Sequence, residues 1–416
     1  MKTVKRFTSI FLAFIFLMSS VSILSQAANE PNRLIETDSF IYYILDFKQK
    51  TAGLYSFKDE ALGQDGTLTI PNEIDGYKII YFSYYTFDKF TRSDEVKKFV
   101  VSDGVERYYC NYEGGDDGIA TGGFKNLEEA VIPDLFCMGD GMLSSCPKLS
   151  KVTFKGGCSN EISDFCFAGC TSLKEIRIPE GVEYISESAF KGCKNLKKVN
   201  IPSTVKSIGE RAFADCKSLK KITLPSGLVS IGSGAFWGCD SLEGKMKLPK
   251  KLKEVDGGAF AFCYGLTGFR IADGNKHLSQ KGGVLFDKKK TKIYCYLSSK
   301  ETKEYKMPST VKSVSKYSFV GNKHLKKLTF SDKVKKIPFH IFDKSNIKHL
   351  VLSKSVEKVL DIPNRKTLKT LTVKNKNCSL GALGRTGWKS TTIYGYKNST
   401  AQTFAKKAKL KFVKLK

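Results

Sequence analysis

Residues 189–209 read AFKGCKNLKKVNIPSTVKSIG, and this stretch decides the fold. Its phenylalanine belongs to a series of five along the chain, separated by three intervals of 23 residues and one of 24. The five are Phe167, Phe190, Phe213, Phe236 and Phe260. Self-similarity at a fixed period of about 20 to 50 residues is the signature of a repeat architecture. We therefore predict a solenoid in which each repeat packs on the next.

One half of the repeat predicts a short strand. Leu196, Val199 and Ile201 are its apolar positions, and the last two are two residues apart. Their side chains therefore point to the same face of a strand. Pro202 follows at once and has no N–H to donate, so it is expected to end that strand.

The other half of the repeat closes the coil. Val205 and Ile208 form a second apolar segment, and Gly209 is expected to allow a turn with positive φ. Phe190 and Cys193 are three residues apart, which suits one helical turn packed inward. Because no single unit can bury its apolar face alone, stacking of roughly ten to twelve such coils should create one continuous core.

The repeat pattern A-F-x-x-C-x-x-L-x-x-I-x-I-P-x-x-V-x-x-I-G closely resembles the BspA-like class of leucine-rich repeats of bacterial surfaces. The resemblance covers the chain from about Leu68 to Val373 and is most specific over 146–255. Residues 282–296 resemble the inserted hairpin of that family, and 392–412 resemble its C-terminal unit. The resemblance implies a β-rich, right-handed repeat solenoid of coils of about 23 residues, with short strands and short helical turns. It also implies adhesion to proteins or cells, and it carries over no catalytic residue.

The interruptions of the repeat suggest a division of the chain into six segments. Two strands are expected in the N-terminal cap, at 41–45 and 51–55, and a helix N-capped by Ser399 is expected near the C-terminus. The segments are a signal peptide at 1–27, an N-terminal cap at 28–67, repeats at 68–271, an inserted hairpin at 272–306, degenerate repeats at 307–391 and a C-terminal cap at 392–416.

The first segment has the features of a secretory signal peptide. Lys2, Lys5 and Arg6 precede an apolar stretch at 7–24, and small residues predict cleavage after Ala27. A retained membrane anchor is the alternative, which serines within the stretch disfavour because a span needs about 20 apolar residues. We therefore expect a secreted protein, with or without retention at the cell surface, and no transmembrane segment after residue 27.

Twelve cysteines in an exported protein would ordinarily suggest disulfides. Six of them share one repeat position, namely Cys146, Cys170, Cys193, Cys216, Cys239 and Cys263. Equivalent side chains of stacked coils point in parallel, so we predict a column of small buried residues and mostly free thiols. Any disulfide is expected among the other six, which are Cys110, Cys137, Cys158, Cys166, Cys295 and Cys378.

Sequence patterns typical of catalytic, metal and phosphate sites do not occur in the chain. It has no C-x-x-C pair and no H-E-x-x-H motif, and its glycine pairs lack a phosphate-loop pattern. Glu113, Asp116 and Asp117 could bind a cation weakly, but a solvated loop is favoured because their spacing is not that of a calcium loop. We predict no metal, no cofactor and no catalytic residue, with a Cys–His pair as the remaining enzymatic alternative.

A net charge of +28, or +25 without residues 1–27, favours anionic partners. Exposed strand positions alternate with buried ones, and here they are mostly basic or small and polar. The predicted ligand face consists of Lys151, Arg177, Lys198, Lys221, Lys247, Arg270 and Lys327. The alternative is that these are ordinary solvated side chains of a lysine-rich protein.

Two classes of function follow from these features. The first is a secreted or cell-surface, adhesin-like protein that binds an extracellular protein or an anionic glycan. The second is a structural, envelope-associated protein held on an anionic wall by its charge, which suits the basic residues at 406–416. Nucleic acid is disfavoured as a partner because no recognised binding module occurs, and an enzyme is the least favoured class.

Overall fold

The computed structural model describes residues 34–87, 90–109, 123–157, 159–384 and 386–416. The predicted signal peptide, Cys110, Cys158 and the acidic loop at 113–117 lie outside these ranges. Within them the chain winds into stacked coils joined by parallel strand pairing, which confirms the predicted β-rich repeat solenoid.

The first side of the solenoid, which we call the first ladder, consists of the strands that follow each repeat leucine. Neighbouring strands are parallel, as where Lys198–Asn200 pairs with Glu175–Arg177. The strands are Thr67–Ile70, Lys98–Val101, Glu129–Ile132, Lys151–Phe154, Glu175–Arg177, Lys198–Asn200, Gly244–Leu248, Leu266–Ile271, Glu304–Lys306, Lys327–Thr329, His349–Leu352, Thr370–Val373, Thr392–Gly395 and Lys411–Lys414. Their buried residues face the core, and the residues between them face solvent.

The second side, or second ladder, is formed by the segment that closes each coil. In the regular repeats it is only two residues long, such as Ser207–Ile208, with the second residue buried. The strands are Tyr77–Ser83, Arg107–Tyr109, Glu161–Ile162, Tyr184–Ile185, Ser207–Ile208, Ser230–Ile231, Glu254–Val255, Lys292–Tyr296, Ser313–Val314, Lys336–Ile337 and Lys358–Val359.

The third side consists of tight turns that contain the repeat phenylalanines. Ser188 has φ of 54° and Gly192 has φ of 76°, so the segment between them cannot continue as a right-handed helix. The expected helical turn at Phe190 and Cys193 is present only as a single turn, which is closed by a hydrogen bond of 3.2 Å from the N–H of Cys193 to the carbonyl of Phe190 and does not continue as a helix. The N–H of Phe190 donates instead to the carbonyl of Ala212 in the next coil, over 2.7 Å.

The phenylalanines of the third side form a regular buried stack. Phe190 lies 5.2 Å from Phe213 between ring centroids, with the two planes 3° apart. Phe167, Phe236 and Phe260 extend the stack at centroid distances of 5.3 to 5.6 Å. The rings are offset or parallel neighbours within the distance range at which aromatic pairs attract. This stack forms one continuous column of the core over the coils with the regular 23-residue period.

Gly209 has a different role from the one expected. Its φ is not positive, and a Cβ at this position would lie 2.7 Å from the carbonyl carbon of Ser186 and 2.9 Å from the nitrogen of Glu187. Gly232 is equally close to the backbone of Gly209 in the preceding coil. Glycine is needed here because neighbouring coils approach too closely for a side chain.

The N-terminal region contains the two predicted strands. Phe40–Asp46 pairs with Thr51–Phe57 in an antiparallel hairpin, and Leu34–Glu36 pairs with the outer edge of the first strand. The hairpin joins the second ladder because Thr51–Phe57 runs parallel to Tyr77–Ser83. Glu73–Ile74 completes this sheet, and three short 3-10 helices follow its loops, at Asp59–Ala61, Tyr84–Phe87 and Ser93–Glu95.

A hairpin interrupts the second ladder after Glu254–Val255. Leu278–Lys281 and Val284–Asp287 are antiparallel, and Val284–Asp287 is antiparallel to Lys292–Tyr296. The last of these strands returns to the ladder and pairs in parallel with Ser313–Val314. Tyr296 then lies 5.1 Å from Phe319 between ring centroids and occupies the position of a repeat phenylalanine.

The C-terminal segment extends the first ladder by two strands. The α-helix Thr400–Lys407 connects Thr392–Gly395 to Lys411–Lys414, which pair in parallel. Ser399 caps this helix as predicted, since its Oγ accepts a hydrogen bond from the N–H of Gln402 at 3.3 Å. A further 3-10 helix, Gly381–Leu383, lies before the first of the two strands.

The coils outnumber the expected ten to twelve, because the described residues contain fourteen strands of the first ladder. Three of these strands lie in segments without a clear copy of the repeat pattern. Glu304–Lys306 is in 272–306, and the other two are in 392–416.

Candidate binding face on the first ladder

Strand register places the predicted ligand residues in two exposed columns along the first ladder. Lys198 lies beside Glu175, and Asn200 lies beside Arg177. Lys221 occupies the corresponding place in a coil that has no assigned strand. The first column contains Lys151, Lys198, Lys221 and Lys327, and the second contains Arg177, Lys247 and Arg270. We call these seven residues the strand face; all are exposed except Lys327, which is half-buried.

Two members of the strand face are already paired within the chain. Lys151 Nζ lies 3.0 Å from a carboxylate oxygen of Glu129, which Lys98 also approaches at 3.8 Å. Lys327 Nζ lies 3.1 Å from a carboxylate oxygen of Glu304. Exposed ion pairs contribute little to stability, but each one cancels a positive charge that a ligand could use. Among the described residues, the other five members form no ion pair.

Lys247 and Arg270 form the most basic part of the strand face. They are direct partners in the register of Gly244–Leu248 with Leu266–Ile271. Arg270 also lines an open cleft of about 670 Å³ between its strand and the hairpin strand Leu278–Lys281. Other residues that line the cleft are Lys245, Asp273, Gln280 and Lys288. The cleft therefore offers several cations and hydrogen-bonding groups to one ligand.

Arg177 lines a second open cleft, of about 420 Å³, on the same ladder. Thr153 and Glu180 contribute its other polar groups, and Gly156 and Gly157 form its floor. A Cβ on Gly156 would lie 2.5 Å from the carboxyl group of Asp134, so a larger residue here would have to displace that exposed side chain. With one arginine beside one glutamate, the site is less basic than the cleft at Arg270.

Lys306 belongs to the same face but is missing from the sequence-based set. It is in register with Thr329, which places it in the second column after Arg270. A signal for it exists, because PSTVKS occurs both at 202–207 and at 308–313. The residues before each copy are therefore equivalent, and Lys306 corresponds to Asn200.

The cysteine column is buried and contains no bonded pair among the ten described cysteines. Burial raises the pKa of the Cys193 and Cys295 thiols to about 12. Burial also raises the pKa of the thiols of Cys170, Cys216 and Cys263 well above its usual range. These side chains are protonated at neutral pH, so they are poor nucleophiles and poor metal ligands.

The histidines take part in local contacts. His340 Nδ1 lies 3.1 Å from a carboxylate oxygen of Asp343, and His349 Nδ1 lies 2.9 Å from the hydroxyl of Thr370. Desolvation, followed by the charges of Lys369 and Lys327, lowers the pKa of His349. Over the described ranges, no group of three or more His, Cys, Asp and Glu side chains could hold a metal ion.

No helix in these ranges combines the length and the apolar composition needed to cross a membrane. The single α-helix given above, Thr400–Lys407, has eight residues.

The fold resembles those of several solved structures. A leucine-rich cell surface protein of Faecalibacterium prausnitzii A2-165 is 18% identical, with a TM-score of 0.59 over 91% of this chain and 98% of that chain. The pneumococcal vaccine antigen PcpA is 19% identical, with a TM-score of 0.49 over 93% of this chain and 100% of that chain. At these identities the likeness concerns the fold alone. A search of curated proteins gave no match.

A match to a family model shows to which protein family the chain belongs. The model of the BspA type leucine-rich repeat region matches residues 160–282 and 289–381 in six copies, which is more than half of the chain. The matched ranges contain the phenylalanine stack, most of the cysteine column and six of the seven strand-face residues. The chain therefore belongs to the BspA type leucine-rich-repeat family.

Proposed function

We propose that this protein is a secreted, non-catalytic binding protein of the cell surface that engages an extracellular protein or an anionic glycan through the strand face. The observation that carries the proposal is the set of five exposed cations without an intrachain ion pair among the described residues, namely Arg177, Lys198, Lys221, Lys247 and Arg270. The parallel ladder presents them in rows, which suits recognition of an extended surface. The cell-surface description of the Faecalibacterium protein is consistent with this proposal.

The chemistry of the described side chains supports a binding role over a catalytic one. The thiols of the cysteine column are buried in the core, and burial raises the pKa of Cys170, Cys216 and Cys263. An activated cysteine needs a lowered pKa and access to solvent, and this column has neither.

An envelope-associated structural protein is the second candidate. It is supported by six C-terminal lysines that are all exposed, at Lys406, Lys407, Lys409, Lys411, Lys414 and Lys416. Deleting 392–416 would not test this role cleanly, since it would also remove two strands of the first ladder. Replacing the six lysines by glutamine removes the charge and keeps the strands.

The decisive experiment compares binding of purified residues 28–416 to intact cells, matrix proteins and anionic polymers at low and high salt. Surface charges are screened over about 8 Å at physiological ionic strength. Selective binding that persists at high salt and is lost on reversing Lys247 and Arg270 supports the proposed function. Reversal of Lys151 and Lys327, which are already paired with Glu129 and Glu304, is the matched control. Loss of all binding in the C-terminal glutamine variant alone would favour the envelope role.

A further inference from the structure

The charge of the chain is concentrated in its last part. Residues 301–416 contain 28 Lys and Arg side chains against six Asp and Glu, a balance of +22 out of the total of +28. The first 300 residues are nearly balanced by comparison. The C-terminal coils therefore have an electrostatic character that the coils before the hairpin do not share.

Four lysines of these coils form a single file, which we call the lysine row: Lys303, Lys326, Lys348 and Lys369. Each occupies the position just before its first-ladder strand. The N–H of Lys326 donates to the carbonyl of Lys303 at 2.7 Å, and the same bond links Lys348 to Lys326 and Lys369 to Lys348, both at 2.8 Å. Successive members are thus neighbours at the strand spacing of about 4.8 Å, and the row extends over about 14 Å.

No acidic side chain among the described residues neutralises the lysine row. None of its four ammonium groups forms an ion pair there, whereas Lys327 in the adjacent column is paired with Glu304. Lys326 Nζ donates only to the backbone carbonyl of Lys323, at 2.7 Å. Desolvation and the charges of Lys348 and Lys303 lower the pKa of Lys326. Like charges directly opposite each other on neighbouring strands are destabilising. An anionic partner would therefore reduce the repulsion between the ammonium groups of the row.

We infer that the lysine row is a binding site for a linear polyanionic glycan, which lies along the solenoid axis with its acidic groups over successive coils. This inference rests on the proposed surface-binding function and assigns its anionic ligand to a column beside the strand face. A single file of point charges matches a chain of repeated anions better than a compact acidic patch. Lysine has no fixed hydrogen-bonding geometry, so the row tolerates a polymer whose repeat differs from the coil spacing.

The surroundings of the row favour a glycan over a single-stranded nucleic acid. Sites for single strands place aromatic side chains beside the cations, so that the bases can stack. The column next to the lysine row consists instead of Glu304, Lys327, His349 and Thr370, which include one imidazole and no Phe, Tyr or Trp ring. The row therefore offers four cations beside a single ring, which is too few for successive bases to stack on.

The chain contains a matched control for this site. Lys174, Lys197 and Lys220 occupy the same repeat position before the hairpin and are all exposed. The N–H of Lys197 donates to the carbonyl of Lys174 at 2.7 Å, the same bond that links the members of the lysine row. Its coils carry more acid, with Glu175 in the adjacent column and Glu243 after Lys220. Reversal of either set of three lysines changes the net charge equally.

The test measures affinity for dextran sulfate and polygalacturonate at several salt concentrations, with uncharged dextran and single-stranded DNA as comparisons. Reversal of Lys326, Lys348 and Lys369 to glutamate is expected to weaken binding to at least one of the two acidic glycans about 30-fold. It should also reduce the slope of log affinity against log salt by about two to three, since each lost contact releases about one counterion fewer. Reversal of the control row should weaken binding less than about threefold.

Equal losses of affinity in the lysine-row and control-row variants would overturn the assignment of the site to the lysine row, because binding would then follow net charge alone. Binding to uncharged dextran, or tighter row-dependent binding to DNA than to either acidic glycan, would overturn the ligand class. Variants with Lys326, Lys348 and Lys369 changed to glutamine test the same row without introducing acids. If neither acidic glycan binds while cells or matrix proteins do, this inference fails and the proposed function stands. If cells, matrix proteins and acidic polymers all fail to bind, the proposed function fails together with this inference.

Discussion

The Sγ of Cys193 donates a hydrogen bond to the carbonyl oxygen of Phe167, in the preceding coil, at 3.2 Å. The same bond joins Cys216 to Phe190 at 3.2 Å and Cys239 to Phe213 at 3.1 Å. After the hairpin, other short donors take this position. Ser299 Oγ donates to the carbonyl of Leu266, and Asn322 Nδ2 donates to that of Leu297 at 2.9 Å. In these coils the position therefore holds a short side chain that donates a hydrogen bond to the coil before it, whereas the buried hydroxyl of Ser345 at the same position has no partner among the described residues.

A first prediction concerns the tolerance of this column. Cys216→Ser keeps a donor and adds no volume, so it should lower the free energy of unfolding by about 1 kcal/mol or less. Cys216→Val has no donor and a larger side chain against the phenylalanine stack, and it should cost about 1–3 kcal/mol. Chemical denaturation of both variants measures whether the valine variant has the lower free energy of unfolding. A valine variant as stable as the serine variant would contradict the role of the donor.

A second prediction concerns the chemical state of the thiols. Because burial raises the pKa of Cys193 to about 12, this thiol is almost wholly protonated at pH 8 and should resist alkylation in the folded protein. Cys170, Cys216 and Cys263 should behave alike. Iodoacetamide labelling mapped by mass spectrometry should modify these four cysteines only after denaturation. Rapid labelling of any of the four cysteines in the native state would contradict the predicted protection of these thiols.

The same samples test the expectation of mostly free thiols. Alkylation under denaturing conditions, without a reductant, should modify most of the twelve cysteines. Ten or more protected cysteines would mean that disulfides hold the array together.

A third prediction concerns Asp361, whose Oδ2 accepts the N–H of Ile341 at 3.0 Å and that of Phe342 at 3.4 Å. Burial raises its pKa despite these bonds. A carboxyl whose folded pKa lies above its unfolded value stabilises the fold fully below the unfolded pKa, and this contribution is lost as the pH rises through the folded pKa. Asp361→Asn keeps an acceptor without the charge.

The variant should therefore be more stable than the wild type at pH 7, and the difference should shrink towards zero as the pH falls below about 4. Urea unfolding at a series of pH values measures both proteins. A difference that grows at low pH would show that the ionised carboxylate is favourable in the fold.

A fourth prediction separates two glycines. Gly209→Ala would place a Cβ 2.7 Å from the backbone of Ser186, where only a shift of neighbouring coils gives relief. We expect a loss of about 1–3 kcal/mol in the free energy of unfolding. Gly381→Ala is the control, since no atom lies within 4 Å of its Cβ position and its φ is not in the left-handed region. It should be neutral or stabilising by up to about 1 kcal/mol. Equal effects would contradict the close approach at Gly209.

The regular coils could be predicted from the sequence because the residues of one repeat determine the conformation of that repeat. Phe190 and Phe213 are 23 residues apart, and an identical period places identical side chains above one another. The strand alternation at Lys198 and the helix cap at Ser399 depend on a few neighbouring residues, so both could be predicted locally. The site residues Arg177, Lys247 and Arg270 could be assigned to one exposed face for the same reason.

By itself, the sequence determined the repeat, the family resemblance and the alternation of buried and exposed positions. These follow from the order in which residue types recur along the chain, which is visible without the structure. Only the tertiary structure decided how the coils meet. It pairs Lys151 with Glu129, brings Gly209 against Ser186 and aligns Lys303 with Lys326 past the hairpin. The physical reason is that contacts between coils depend on the register and on the distance of closest approach. Where coil lengths vary, these quantities follow from the packing of neighbouring coils, which the period alone does not specify.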